Sequence, residues 1–290
     1  MPLPTSPLRK MHRAVRAFLL HDGLPIGGIA VGVMLGTYAL LGATPSGPLL
    51  VLAFCGTALV YQFDRTLGFS PEDRYNRPER HAWGRAHRGF VWSTALLCIA
   101  AAGVALTMIR PAVVLAGAAL GALGLLYVAP VLGRRLKSLG WGKPLVVAGT
   151  WALGGVLLPA LEAGRAVTLG VVALVAYRFV IVLANALLAD WADRVGDTKA
   201  GLRTVAARWP ARAVFRRVRG LLGAALVGGV AVAVGYGLPL LGVDLVGVVL
   251  MLGIVGRIEA RATPMRRLAL DAVVAWPLVT ALAGWAAAYW

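Results

Sequence analysis

Three aspartates at the spacing Asp190-x-x-Asp193-x-x-x-Asp197 are the residues of this sequence best suited to chemistry. On a helix they fall at about 0°, 300° and 340° around the axis, so one narrow face carries all three carboxylates. Carboxylates this close repel one another unless a cation or basic side chains lie among them. Mg²⁺ prefers hard oxygen ligands and usually binds through a few carboxylates together with a substrate phosphate. The spacing therefore predicts a Mg²⁺ site.

An alternative interpretation of this cluster is a solvated polar surface on which Arg194, Lys199 and Arg203 act as counter-charges. The distribution of acids argues against chance placement, because the chain has only 12 Asp and Glu residues and seven of them lie in two short segments. These seven are Asp64, Glu72, Asp73, Glu79, Asp190, Asp193 and Asp197.

The rest of the sequence indicates a membrane protein. Hydrophobic residues make up 59% of the chain and charged residues only 14%, about half the charged fraction of a soluble domain. A bilayer core needs roughly 20 apolar residues per helix, and nine segments approach or meet this length. We therefore expect an all-α, polytopic membrane helix bundle that forms one domain over residues 1–290. The segments are Leu24–Gly42, Pro48–Phe63, Phe90–Ile109, Ala112–Leu132, Leu145–Leu161, Thr168–Ala189, Leu221–Leu241, Leu245–Gly256 and Leu268–Trp290.

Basic residues alternate between the two sides of this bundle. The polar N-terminal segment and every second loop hold 26 Lys and Arg, whereas the loops between them hold only Arg110 and Arg165. The positive-inside rule predicts a cytoplasmic N-terminus and an external C-terminus, in a prokaryotic plasma membrane. Two long loops, 64–89 and 190–220, form a polar cytoplasmic cap. The net charge of +17 does not indicate a nucleic-acid partner, because the basic residues form short runs between apolar segments.

Arg178 is the one basic residue predicted inside a span, roughly 18 Å along the helix from Asp190. A charge at that depth is costly and is by default a functional hypothesis. It would meet an anionic acceptor or an internal hydrogen-bond partner. If the helix begins later, Arg178 would instead extend outward to the membrane surface. Asn185, one heptad further on, shares its face and is expected to line the same cavity.

The segment from Asn185 to Thr204, NALLADWADRVGDTKAGLRT, resembles the second aspartate motif of the UbiA superfamily of intramembrane prenyltransferases. It carries the DxxDxxxD spacing, followed by KAG and a threonine. The family's first motif, NxxxDxxxD at the end of the second span, is degenerate here because Val60 and Gly68 flank Asp64.

Two further segments are similar to the family. Asn76-Arg77-Pro78-Glu79-Arg80 is similar to its NRP or PERP segment. Tyr127, with the basic residues Arg134, Arg135 and Lys137, resembles the segment that follows the fourth span. Nine helices with both aspartate motifs on the cytoplasmic side is also the family architecture.

The resemblance implies Mg²⁺-dependent transfer of a prenyl group from a prenyl diphosphate to a lipophilic acceptor, such as an aromatic or quinone precursor, within the bilayer. It implies catalytic roles for Asp190, Asp193 and Asp64. The implied metal ligands are Asp190, Asp193, Asp197, Asp64, Glu72 and Asp73. The residues expected to bind substrate are Arg77, Arg80, Lys199, Arg203, Asn185, Arg178, Tyr127 and Lys137.

Two other functions stay open. The degenerate first motif is compatible with altered chemistry on the same scaffold, such as intramembrane terpene cyclisation. A non-catalytic transporter or lipid-binding protein is the third alternative, since an intramembrane charge is typical of a transport path.

Overall fold

The computed structural model describes residues 7–66, 72–128, 140–202, 204–260 and 263–288. Every regular element within these ranges is a helix, which confirms the predicted all-α bundle. The helices are α1 (Pro7–His21), α2 (Leu24–Leu40), α3 (Gly47–Thr66), α4 (Asp73–Asn76), α5 (Pro78–Ala86), α6 (Arg88–Leu106), α7 (Pro111–Val128), α8 (Gly142–Ala152), α9 (Leu158–Glu162), α10 (Leu169–Lys199), α11 (Val205–Arg208), α12 (Ala211–Gly235), α13 (Leu241–Ala260), α14 (Pro264–Val274) and α15 (Pro277–Ala288).

Six helices in the described ranges are long and apolar enough to cross a bilayer. The number rises to eight if each of two bent pairs is one span: Ala14–His21 with Leu24–Leu40, bent by 67°, and Met265–Val274 with Pro277–Ala288, bent by 43°. A further apolar helix, Pro111–Gly124, is shorter. These helices confirm the polytopic membrane architecture, while the count of nine spans and the orientation of the termini stay predictions.

The N-terminal segment is not simply a polar tail, because α1 occupies Pro7–His21. The chain turns sharply at Asp22, which is fully buried and accepts a hydrogen bond from the Leu24 backbone N–H at 2.7 Å. That N–H belongs to the first turn of α2, where no helical carbonyl is available to it. Asp22 therefore stabilises the start of α2 at the point where the helix axis changes direction.

The predicted span Leu145–Leu161 is one helical column with an internal irregularity. A π-helical turn, Leu153–Leu157, joins α8 to α9. Such a turn disturbs the regular hydrogen-bond ladder, and inside a membrane the affected groups need partners from neighbouring helices. Thr37 supplies one, because its hydroxyl donates to the Gly155 carbonyl at 2.7 Å. Gly155 permits this approach, since a Cβ there would lie 2.5 Å from a methyl group of Val33.

Helix α10 is the central element of the bundle. In its apolar stretch 67% of the residues are buried, compared with 22–44% in the other long candidate spans. Its 31 residues correspond to about 46 Å, longer than the roughly 30 Å hydrocarbon layer. The predicted span ends at Ala189, so α10 continues through the aspartate motif as an unbroken helix and holds that motif just beyond the apolar segment.

Candidate functional site at the basic end of the bundle

The three aspartates of α10 lie on one helical face, as predicted. Asp190 and Asp197 are 2% and 0% exposed, and the Asp193 side chain is 15% exposed. Burial of charged carboxylates requires partners of opposite charge or hydrogen-bond donors. We call the end of the bundle that carries the predicted basic loops the basic end, and the partners come from four different segments there.

Lys143, at the start of α8, lies between two of the aspartates. Its Nζ is 2.8 Å from Asp190 Oδ1 and 3.2 Å from Asp197 Oδ2. An ammonium group has three donors and no acceptor, so one side chain bridges both carboxylates. Sequence reasoning counted Lys143 only as a loop cation, because nothing in the chain order indicates this contact across 47 to 54 residues.

Asn76, the last residue of α4, binds the Asp197 end of the aspartate motif. Its Nδ2 donates to Asp197 Oδ1 at 3.0 Å, and its Oδ1 accepts from the Gly196 backbone N–H at 2.9 Å. Gly196 is required here, because a Cβ at this position would lie 2.1 Å from Asn76 Oδ1. The NRP-like segment and the KAG-containing motif are therefore in direct contact.

Asp193 is held by two arginines. Arg267 of α14 approaches Asp193 Oδ1 to 2.5 Å and also donates to the Ala192 carbonyl at 2.9 Å. Arg77 lies 3.4 Å from the other carboxylate oxygen. Arg80 is close enough for its charge to act on Asp193, and it donates to the Leu20 carbonyl of α1 at 3.4 Å. Arg77 and Arg80 were predicted at this site; Arg267 was missed.

One carboxylate oxygen of the site has no hydrogen-bond partner among the described residues. Asp190 Oδ2 is buried and makes no hydrogen bond to the residues that the structure describes. Buried polar atoms in folded proteins nearly always have a partner, so an orphaned carboxylate oxygen indicates a place for a donor or a cation.

The degenerate first motif also reaches this region. Asp64 lies near the end of α3 and is half-buried. The charges of Asp64, Asp190 and Lys143 all act on the Tyr127 hydroxyl, so Tyr127 lies near both aspartate-bearing helices. Glu72 is buried, at 6% exposure.

Other residues that were predicted at the site form no ion pair or side-chain hydrogen bond with the three aspartates among the described residues. Lys199 is exposed, and Arg194 stacks over the Trp191 ring at 4.2 Å instead of pairing with an aspartate. Neither contact supports the alternative interpretation in which these two residues act as counter-charges to the aspartates. Asn185 is half-buried on α10. Three remaining predictions, for the Asp73 side chain, Lys137 and Arg203, lie outside what the structure describes.

The carboxylates are spread over several basic partners rather than gathered around one point. Among the described residues, no three His, Cys, Asp or Glu side chains are grouped as metal ligands. The predicted ligand set of Asp190, Asp193 and Asp197 is thus not brought together as a complete group. The metal roles of these residues, and of Asp64 and Glu72, stay predictions.

Arg178 has an internal hydrogen-bond partner, one of the alternatives that the sequence left open, but the sequence did not identify this partner as Asp244. Its Nη1 and Nη2 lie 2.7 and 3.0 Å from Asp244 Oδ2 and Oδ1. Asp244 also accepts from the Tyr177 hydroxyl at 2.9 Å and from the Thr280 hydroxyl at 3.2 Å. All four residues are at most 6% exposed. Asp244 was assigned to the connection between the seventh and eighth segments, so its burial was not expected.

A cavity of about 510 Å³ lies next to the aspartate motif, within the size range of small-molecule sites. Arg77 and Arg267 bind Asp193 and also line this cavity. Arg16 and Arg80 add two further positive charges, against Glu79 and Asp271 as its acidic lining residues. The excess of guanidinium groups suits an anion such as a phosphate.

Solved structures show which proteins share this fold. A UbiA homolog from Archaeoglobus fulgidus bound to GPP and Mg²⁺ matches with a TM-score of 0.66 and 15% identity, over 92% of this chain and 99% of that one. The same homolog bound to DMAPP and Mg²⁺ matches at 0.64 and 14%, over 92% and 98%. The apo UbiA homolog from Aeropyrum pernix K1 matches at 0.63 and 13%, over 88% and 98%.

The chain therefore has the UbiA fold, and the resemblance inferred from the aspartate motif is confirmed at the level of the fold. Neither a scan against protein-family models nor a search of curated proteins finds a match.

Proposed function

We propose that this chain is a UbiA-type intramembrane enzyme that transfers a prenyl group from a prenyl diphosphate to a lipophilic acceptor. One observation carries the proposal: three carboxylates of α10 meet basic side chains from three other segments beside a cationic cavity. The similar UbiA homolog structures bound to GPP or DMAPP with Mg²⁺ support the same assignment.

Mg²⁺ suits the chemistry of this donor set. Asp190 Oδ2 is a buried carboxylate oxygen without a hydrogen-bond partner among the described residues. Further carboxylate oxygens of Asp193 and Asp197 follow on the same face, and such hard oxygens are the ligands that Mg²⁺ prefers. We propose that these three aspartates, which are not grouped as a complete ligand set among the described residues, come together on one ion when it binds. When bound, Mg²⁺ neutralises the diphosphate and stabilises it as a leaving group.

A second ion would use the remaining acids. Asp64, Glu72 and Asp73 are the candidates, and the proximity of Asp64 to Tyr127 supports its inclusion. In this proposal Asp64 is kept from the first motif, and Glu72 or Asp73 substitutes for the two positions that hold Val60 and Gly68.

The basic side chains have two tasks in this proposal. Without substrate, Lys143, Arg77 and Arg267 neutralise the carboxylates. With substrate, the guanidinium groups that line the cavity donate to the diphosphate, because charge-assisted bonds from Arg to phosphate oxygens are strong and directional. Among the described predicted residues, Arg77 and Arg80 fit this task; Arg203, Lys137 and exposed Lys199 remain candidates for it.

The apolar bundle has the complementary role of excluding water from the allylic cation formed when diphosphate leaves. Asn185 and Tyr127 are proposed to lie along this chamber. Arg178 is assigned a structural role instead, since Asp244 satisfies its guanidinium. This pairing also removes the intramembrane charge that motivated the transporter alternative.

Terpene cyclisation is the second candidate, and the degenerate first motif favours it. A cyclase releases diphosphate and forms a hydrocarbon or alcohol without an acceptor. Transfer gives a prenylated acceptor instead, so the products distinguish the two.

One incubation tests both candidates. Purified protein with Mg²⁺ is offered prenyl diphosphates of several chain lengths, with and without a membrane lipid extract, and products are identified by mass spectrometry. Asp190→Asn and Asp193→Asn should each abolish Mg²⁺-dependent diphosphate release. Glu259→Gln is the matched control, because Glu259 pairs with Arg219 at an exposed position of α13 and is expected to leave turnover intact. Full turnover in both aspartate variants would refute the proposal.

A further inference from the structure

Helix α1 presents an apolar stripe to its surroundings. Leu8, Met11, Val15 and Leu19 are 72%, 60%, 52% and 38% exposed. At 100° per residue these four side chains fall within an arc of about 80° on one side of the helix. We call these four residues the α1 stripe. An exposed apolar stripe on an ordered helix indicates a surface that water does not cover in the cell.

The side of α1 next to the stripe is docked on the protein. The Phe18 ring packs edge-on against Phe90 at a centroid distance of 6.3 Å, and the His21 ring lies 6.3 Å from Trp83. The Leu20 carbonyl accepts a hydrogen bond from Arg80. These contacts hold one face of α1 against α5 and α6, while the exposure of the α1 stripe shows that it does not pack against the described part of the bundle.

The charge and the direction of α1 favour a lipid surface as the partner. Its sequence carries Arg9, Lys10, Arg13 and Arg16 and no acidic residue. The final turns of α1 are bent by 67° from α2. With α2 along the membrane normal, α1 would lie closer to the membrane plane than to the normal. A helix with an apolar stripe, flanking cations and this orientation has the features of an interfacial helix. A second copy of the chain is disfavoured, since the sequence of α1 carries four cations and no acidic residue that could pair with them.

We infer that α1 is a membrane-surface helix that embeds the α1 stripe at the boundary of headgroups and acyl chains and binds anionic lipid headgroups through its basic residues. The inference does not depend on the proposed catalytic activity. It assigns the N-terminal segment a binding surface for phospholipids with a net negative charge. Arg16 and Leu20 also line the cationic cavity, so lipid bound along α1 would lie next to that cavity.

The test uses the full chain in lipid vesicles. Met11→Cys is labelled with an NBD fluorophore in a Cys55→Ala/Cys98→Ala background, which removes the two native thiols. Vesicles are made of phosphatidylcholine alone or with phosphatidylglycerol. Quenching by lipids with a nitroxide near the headgroup is compared with quenching by aqueous iodide. Arg208→Cys, exposed on α11 at the basic end, is the matched label position.

We expect NBD at position 11 to emit at shorter wavelength than at 208, to be quenched by the nitroxide lipid and to be protected from iodide. Phosphatidylglycerol should increase the nitroxide quenching, and replacing the four α1 basic residues with Gln should remove this increase. Three results would overturn the inference: equal iodide quenching at 11 and 208, a disulfide crosslink between two unlabelled Met11→Cys chains, or an anionic-lipid effect that survives the Gln replacements. Val15→Cys provides a second label position if Met11→Cys does not fold.

Discussion

Lys143 Nζ lies 2.8 Å from Asp190 Oδ1, at the place where the motif is expected to hold a divalent cation. The same ammonium is 3.2 Å from Asp197 Oδ2. A lysine in this position neutralises two buried carboxylates, which otherwise repel each other. It also competes with any metal ion for the same oxygen atoms, and this competition can be measured.

Removing the Lys143 charge should make the protein less stable but more responsive to Mg²⁺. Lys143→Met leaves two buried carboxylates without their cation, and breaking a buried ion pair in this way costs about 3 kcal/mol or more. Mg²⁺ then meets no competing ammonium and should recover part of the loss. Thermal unfolding in detergent, with and without Mg²⁺, measures both effects.

Lys143→Arg, which keeps the charge, is the matched control and should show the smaller Mg²⁺ response. If Mg²⁺ stabilises the Met variant no more than the parent chain, Lys143 and the metal do not share the aspartates.

Gly196 and Asn76 should behave as a coupled pair. Gly196→Ala places a methyl group where Asn76 Oδ1 now lies, and an overpacked position of this kind costs about 1–3 kcal/mol. Asn76→Ala removes the side chain that this methyl group would meet. Gly196→Ala should therefore lower the free energy of unfolding less in an Asn76→Ala background than in the parent chain. The free energies of unfolding of the four chains form the double-mutant cycle that measures the coupling.

Gly223→Ala on α12 is the control substitution, because a Cβ there meets no atom within 4 Å. It should be neutral or slightly stabilising, since alanine is the better helix former. A cost at position 196 that is independent of residue 76 would contradict the contact.

The Arg178–Asp244 pair should behave as a buried unit. The two side chains are 7% and 1% exposed, so Arg178→Met alone leaves an uncompensated carboxylate at a cost of about 3–5 kcal/mol. Arg178→Met/Asp244→Leu should recover a large part of that loss. Unfolding in mixed detergents checks both values.

The exposed pair Arg219–Glu259, with side chains 47% and 36% exposed, provides the comparison. Its disruption by Arg219→Gln should change stability by about 1 kcal/mol or less. A similar small effect at Arg178 would mean that the intramembrane ion pair does not form in the bilayer.

Arg267 should affect binding of the prenyl diphosphate. Arg267→Gln removes a charge from the cavity and from Asp193, and a lost charge-assisted bond corresponds to roughly a tenfold or greater rise in KM. Arg266→Gln is the matched control, because the Arg266 guanidinium donates to the Arg257 carbonyl instead. Equal KM values for both variants would exclude Arg267 from substrate binding. Steady-state kinetics with a fixed acceptor concentration provide the measurement.

Periodic and compositional signals predicted the fold well. Long apolar segments predict membrane helices because lipid requires internally satisfied backbones, and the DxxDxxxD spacing predicts one helical face. The resemblance at residues 185–204 also indicated the correct fold, although the three solved structures described above share only 13–15% identity with this chain.

The partners of those aspartates could not be predicted, since they depend on tertiary contacts. Lys143 and Arg267 come from segments 47 and 74 residues away from the aspartates they bind. The positive-inside rule alone accounts for basic residues at both positions, so the sequence did not indicate that they pair with aspartates. Asp244 was missed for a related reason: an acid in a two-helix connection is normally solvated, and only packing shows that Arg178 reaches it.

Helix α10 is held to two neighbouring helices by buried ion pairs at two points along its length. Arg178 donates two hydrogen bonds to Asp244. Asp190, 12 residues further along α10, forms an ion pair with Lys143. Sliding the helix by a single residue is a 1.5 Å displacement, enough to break either set of contacts. The aspartates are consequently fixed in height relative to α8 and α13. We expect a change in membrane thickness to be accommodated by the peripheral helices instead of by a shift of α10.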